Sequence, residues 1–265
     1  MNIGLIGAGT IGKFLLEKIN LEKRLSGFKV ISVLDERQKS KPLLEELSHT
    51  YDFQYYQDLN AFLNSSIDLV VECANVEAVR QYAKEIVNKK DFFIISIGAL
   101  VDLDFYQELE ALARSLNRRI YLPSGAIGGL DVIKSAHVLG GLESVTLTTR
   151  KPAQALTDDL GSSSKEQVLF EGPAKEAIKQ FPKNANVSII LSLAGIGVDN
   201  TKVKIVMDPA VKKNIHQVKA TGDFGEMTLT LENNPSPTNP KTSYLTALSI
   251  LSALNSLDHS IKIGS

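Results

Sequence analysis

The sequence predicts an α/β protein. A parallel sheet is expected in an N-terminal domain over residues 1–121 and an α+β domain over residues 122–241, with a last helix over 242–258 packing back on the first domain. Three observations carry this expectation. Up to about Tyr121, short apolar runs alternate with helix-like segments, the order that builds a parallel sheet with helices on both faces. The runs LVV and FFIIS lack polar alternation, as strands covered on both sides do. Beyond RRIYLPSG, several strand-like runs follow one another closely, the spacing of antiparallel pairing.

In chain order, the first domain reads as strand NIGLIG, helix KFLLEKI, strand KVISVLD, helix KPLLEELSHTY, strand DLVVECA, helix VEAVRQYAKEIV, strand FFIISIGAL and helix YQELEALARSL. In the second, the helix DVIKSAHVLG leads to ESVTLTTRK, and the apolar helix NVSIILSLAG precedes three strands, TKVKIVMDP, IHQVKATGD and GEMTLTLEN. These three are expected as a meander, with Val203, Ile205 and Met207 alternating on a face that packs on a helix or a second subunit. NNPSPTNPKTS holds too many Pro and Asn for a regular element, and the helix SYLTALSILSALNSL follows it.

The loop GAGTIG joins the first strand to the first helix and fits G-x-G-x-x-G. In that pattern Gly7 permits the tight turn, Gly9 lets the backbone approach a pyrophosphate, and Gly12 lets the helix pack near the strand. Six residues alone are equally readable as a structural turn. Their setting between strand and helix favours a Rossmann-type dinucleotide cradle built from Gly7, Gly9, Thr10, Ile11 and Gly12. The next strand ends in Asp35, 23 residues beyond Gly12, close to the roughly 20 at which an acid binds a ribose 2′-OH. A carboxylate there favours NAD, while Arg37 beside it leaves NADP open. Further strand ends should line the same crevice, which points to Cys73, Ala74 and Gly98 as cofactor neighbours. Cys73 reads as a small apolar filler rather than a nucleophile.

Composition narrows the partners. A formal charge of -1, with no long basic block, argues against nucleic acid and leaves small molecules. The longest apolar stretches, such as 187–193, fall far short of the roughly 20 residues that span a bilayer, so no membrane contact is expected. A lone cysteine and an N-terminus without signal-peptide character lead to the expectation of a cytoplasmic protein.

The second half holds stretches dense in residues that a packed core does not need. PSGAIGGLD, TTRKP, FPKNANV and NIH occur in that order, followed by NPSPTNPKTS. Together with GAGTIG they resemble the L-aspartate dehydrogenase family over essentially the whole chain. The resemblance implies oxidation of L-aspartate by NAD(P) to iminoaspartate, which gives oxaloacetate and ammonia or enters NAD biosynthesis, and it implies a homodimer. It further implies that His216 is catalytic and that Ala126 and Asn186 contact the dinucleotide.

The residues suit those roles. Histidine exchanges protons near neutral pH. A period of two places His216 with Val218 and Ala220, opposite Gln217 and Lys219; a core histidine satisfied by hydrogen bonds is the alternative reading. His49, His137 and His259 read as surface or packing residues, and no histidine pair has metal-ligand spacing, so no metal site is expected. A dicarboxylate substrate calls for cations, with Arg150, Lys151, Lys183 and Lys241 as candidates, and Asp131 and Asp208 are candidates to orient the histidine. Two further functions fit the same scaffold: a dehydrogenase for another 2-oxo or 2-hydroxy acid, and a non-catalytic NAD(H) sensor.

Overall fold

The computed structural model describes residues 1–152, 165–182, 185–237 and 239–263. By contacts the chain divides into two units. The first comprises Met1–Pro123 with Ala253–Asp258, and the second comprises Ser124–Ser252 with the segment from His259.

The first unit is built on six strands: β1 (Asn2–Ile6), β2 (Lys29–Leu34), β3 (Gln54–Tyr56), β4 (Leu69–Glu72), β5 (Asp91–Ile94) and β6 (Ile120–Tyr121). All pairings are parallel, in the order β3-β2-β1-β4-β5-β6. The order reverses between β1 and β4, and a crevice opens beyond the carboxyl ends of the strands at such a switch point. Ile3, Leu5, Val70, Val71, Phe92 and Phe93 are all buried, which explains why these strands lack polar alternation.

The helices are α1 (Thr10–Leu16), continued by a π-helical turn over Glu17–Leu21, α2 (Lys41–Tyr51), α3 (Leu59–Leu63), α4 (Val76–Lys89) and α5 (Leu103–Ser115). Three start on side-chain caps: Asp58 accepts from Ala61 N–H, Asn75 from Ala78 N–H and Asp102 from Phe105 N–H. Each cap is worth about 1 kcal/mol over alanine. On α4 the buried Val79, Tyr82, Ala83, Ile86 and Val87 form one stripe at helical spacing. β3 and α3 escape sequence reading because each is too short to show a period. FFIISIGAL is strand only as far as Ile94 and then turns into a 3-10 segment over Ile97–Val101.

In the second unit the elements are α6 (Leu130–His137), β7 (Leu142–Lys151), β8 (Gln167–Pro173), α7 (Ala174–Gln180), α8 (Ala185–Ala194), α9 (Gly197–Asn200), β9 (Lys202–Met207), β10 (Asn214–Gly222), β11 (Gly225–Asn233), β12 (Pro235–Ser236), β13 (Asn239–Ser243) and α10 (Tyr244–Asp258). Residues 253–258 of α10 group with the first unit. The main sheet runs β11-β10-β7-β9-β8. The expected meander is therefore half right. β10 and β11 form an antiparallel hairpin, but β7 lies between β10 and β9, and β9 runs parallel to it. Val203, Ile205 and Met207 are buried, and α7 contacts β9. The segment read as irregular contains the antiparallel pair β12 and β13.

Candidate active site

In the first unit the glycine loop is shaped by backbone demands. Gly7 sits at φ 92°, which side-chain-bearing residues rarely adopt, and its N–H donates to the Leu34 carbonyl at 2.9 Å. A Cβ there would lie 3.0 Å from that of Ala74, so the turn is also pressed against the end of β4. At Gly12 a Cβ would collide with the Gly7 carbonyl oxygen, whereas at Gly9 it would meet nothing within 4 Å. The outer glycines are thus required by packing, and the middle one faces open space where a pyrophosphate can meet the backbone. Thr10 and Ile11 open α1.

Gly7, Gly9, Asp35, Cys73 and Ala74 line one cleft of about 320 Å³, together with Arg37, Asn75 and Tyr82. Gly98 lies in the 3-10 turn after the neighbouring strand. The Asp35 carboxylate is 4% exposed and receives Arg37 Nε at 2.8 Å, Nη2 at 2.5 Å and backbone N–H at 3.1 Å. Burial pushes this carboxyl up, but the bonds and charge of Arg37 outweigh it and hold it below the usual range. An open cradle at Gly9 and an ionised acid at the end of β2 fit a dinucleotide.

Sequence reading missed Glu72. Fully buried at the end of β4, its Oε1 accepts from Ala74 N–H at 2.7 Å and Ser96 Oγ–H at 2.8 Å. Its Oε2 accepts from Ser96 N–H at 2.8 Å and Ile95 N–H at 3.2 Å. One carboxylate thereby ties together the loops that follow β4 and β5. Burial raises its pKa against the pull of those donors. Burial, and then the Glu72 charge, push the Cys73 thiol up and keep it neutral.

In the second unit, His216 is 4% exposed on the covered face of β10 with Val218 and Ala220, while Lys219 is exposed. Directly opposite on β7 is Thr149, also buried, whose Oγ1 is 3.0 Å from His216 Nδ1. Burial, and then the positive charge of Lys151, hold the imidazole down at about 4. Neither predicted aspartate orients the ring. Asp131 is exposed in the first turn of α6, and Asp208 accepts from Arg150 Nη1 at 2.5 Å and from Ala210 N–H at 2.8 Å. His49, His137 and His259 are exposed.

Ala126 is buried in the loop before α6, and its carbonyl accepts from the Asn233 side chain at 3.0 Å. Two residues on, a Cβ at Gly128 would lie 3.1 Å from Leu229 Cδ2, so this loop is pressed onto β11. Leu229 pairs with Val218 and Leu231 with His216 across the hairpin, which puts the loop on the histidine's side of the sheet. Asn186 is exposed in the first turn of α8. Lys183 lies outside the described residues, and Lys241 belongs to β13. Among the described residues no three His, Cys, Asp or Glu side chains gather as metal ligands, and no helix is long and apolar enough to cross a membrane.

Two family models divide the chain between them: the NAD-binding domain of homoserine dehydrogenase matches residues 7–123, and the C-terminal domain of aspartate dehydrogenase matches residues 131–257. The L-aspartate dehydrogenase of Methanosarcina mazei is 39% identical, with 100% of this chain and 99% of the relative covered. That of Methanospirillum hungatei is 41% identical with 100% of both covered. Among solved structures, the aspartate dehydrogenase of Thermotoga maritima superposes with a TM-score of 0.79 at 33% identity, covering 100% of this chain and 99% of that one. The scyllo-inositol dehydrogenase of Lactobacillus casei shares the fold at 13% identity, with a TM-score of 0.59 over 100% of this chain and 91% of that one. A glycine cradle with an acid at the next strand end, a buried histidine on a second sheet, and similarity along the full length lead to one conclusion: the chain belongs to the L-aspartate dehydrogenase family.

Proposed function

We propose that the protein oxidises L-aspartate to iminoaspartate with NAD(P), reversibly, and that the imine gives oxaloacetate and ammonia on hydrolysis. The observation that carries this reading is His216, an imidazole buried on a sheet face with a defined partner on one nitrogen. When bound, the dinucleotide would supply the hydride chemistry at the α-carbon. Residues 1–121 would hold it, with the backbone of residues 7–12 toward the pyrophosphate and Asp35 toward the adenosine ribose, and the family resemblance adds Ala126 and Asn186 as contacts.

His216 supplies the proton chemistry. An α-carbon gives up hydride when its amine is neutral, so a base must first take a proton from the ammonium group. An imidazole held well below neutrality is unprotonated at pH 7, which leaves a ring lone pair open for that step. In the tautomer whose Nδ1–H donates to Thr149 Oγ1, the lone pair for that step is on Nε2. In reverse the same nitrogen returns the proton. The reading extends to a homodimer in the cytoplasm whose iminoaspartate feeds NAD biosynthesis, in keeping with the family.

The test is NADH oxidation by the purified protein given oxaloacetate, with and without ammonium. Turnover that requires ammonium and yields aspartate is expected. Turnover without ammonium would replace this reading with a hydroxy-acid dehydrogenase, and NADH binding without turnover on any oxo acid would replace it with a sensor.

A further inference from the structure

L-Aspartate carries two carboxylates, and four cations in the second half of the chain were candidates to receive them. The pleat of β7 separates two of these. Successive residues of a strand point to opposite faces, so Thr149 and Lys151 share the face of His216, while Arg150 points away from it. Arg150 is committed there, with Nη1 on Asp208 at 2.5 Å and on Glu166 at 2.6 Å and Nη2 on Glu166 at 3.2 Å. On the same outer face, Lys204 pairs with Glu171 at 2.9 Å.

We propose that Lys151 is the substrate-binding cation of this site, its ammonium group receiving a carboxylate of L-aspartate beside His216. The inference rests on the activity proposed above and adds the residue that selects an acidic substrate. His216 pairs directly with Thr149, which makes Lys151 its diagonal neighbour across the antiparallel pair, a separation of about 7–8 Å that a long side chain spans. The lysine's charge already reaches the ring, as the second cause after burial of the imidazole's depressed pKa. Lys151 is itself half-buried, next to the buried Met207 in the parallel register with β9. Its carbonyl accepts from Asp208 N–H at 2.9 Å, which pins this end of β7. Burial lowers the lysine's pKa, the mark of a charge partly withdrawn from water. A carboxylate placed there gains a charge-assisted hydrogen bond from a half-buried ammonium group beside the buried His216 and Thr149, and loss of that bond discriminates against neutral analogues.

The experiment measures KM and kcat for L-aspartate, and Kd for NADH by fluorescence, in the wild type, K151M, K151Q and K151R. K151M keeps the aliphatic stem and its packing, so it serves if K151Q does not fold, and the reverse holds. The expected result is a KM for L-aspartate raised about 30-fold or more in the neutral variants, with kcat falling less than KM rises. NADH affinity should stay within about twofold, and K151R should recover most of the lost KM. An unchanged KM in a folded neutral variant would overturn the proposal, as would a parallel loss of NADH affinity. Absence of L-aspartate turnover in the wild type would instead remove the activity on which the inference rests.

Discussion

The glycine loop of the first unit and the histidine face of the second are built by different means. The first is a backbone device: a positive φ at Gly7, packing that excludes a Cβ at Gly12, and open space at Gly9, all within six consecutive residues. The second is a side-chain device assembled from two strands, with Thr149 and His216 67 residues apart in the chain. A contiguous device can be read as a motif because its residues are demanded by local geometry. A device spread over a sheet becomes visible only when strand order and register are known.

If the two devices are separable, replacing His216 should stop the chemistry and leave the cradle intact. His216→Ala is expected to lower kcat for L-aspartate by about 10³-fold, within the range for a lost acid/base group, with Kd for NADH within about twofold. A parallel collapse of NADH binding would break the comparison.

The next effect is on stability, and its sign follows from proton binding. Below pH 6.5 an unfolded His216 takes up a proton that the folded one refuses until about pH 4. The unfolded state therefore binds more protons across that window. His216 contributes stability that is fully present above pH 6.5 and lost as pH falls toward 4, on the order of 3 kcal/mol in all. Denaturant unfolding of the wild type and of His216→Gln, at pH 7 and near pH 4.5, checks it: the difference between the two proteins should shrink or reverse on acidification.

The smallest expected effect probes the cradle. Gly12→Ala puts a methyl group against the Gly7 carbonyl oxygen and should cost about 1–3 kcal/mol, read as a lower Tm together with weaker NADH binding. Unchanged NADH affinity would show that the loop's geometry is less tightly set than its packing implies.

Much of the fold was legible. The parallel sheet announced itself in LVV and FFIIS, because strands covered on both faces have no polar residues to alternate. The inward face of His216 followed from a period of two. β8 and α7 were not legible, nor was the insertion of β7 between β9 and β10, since antiparallel and parallel neighbours make similar demands on composition. Within the candidate site, a partner for His216 was expected among aspartates, and the hydrogen bond is instead to a threonine, a residue type as common on strands for packing as for hydrogen bonding.

By itself, then, the sequence determined what consecutive residues impose on one another: a glycine turn entering a helix, an acid at the end of the next strand, a histidine on one side of its strand. Tertiary structure alone decided that Thr149 meets His216, that Lys151 shares its face while Arg150 is drawn off to Asp208 and Glu166, and that Glu72 braces the loops that follow β4 and β5. The physical reason is that these partnerships depend on strand order and register, which are set by the apolar surface buried across the whole sheet rather than by the residues that meet there.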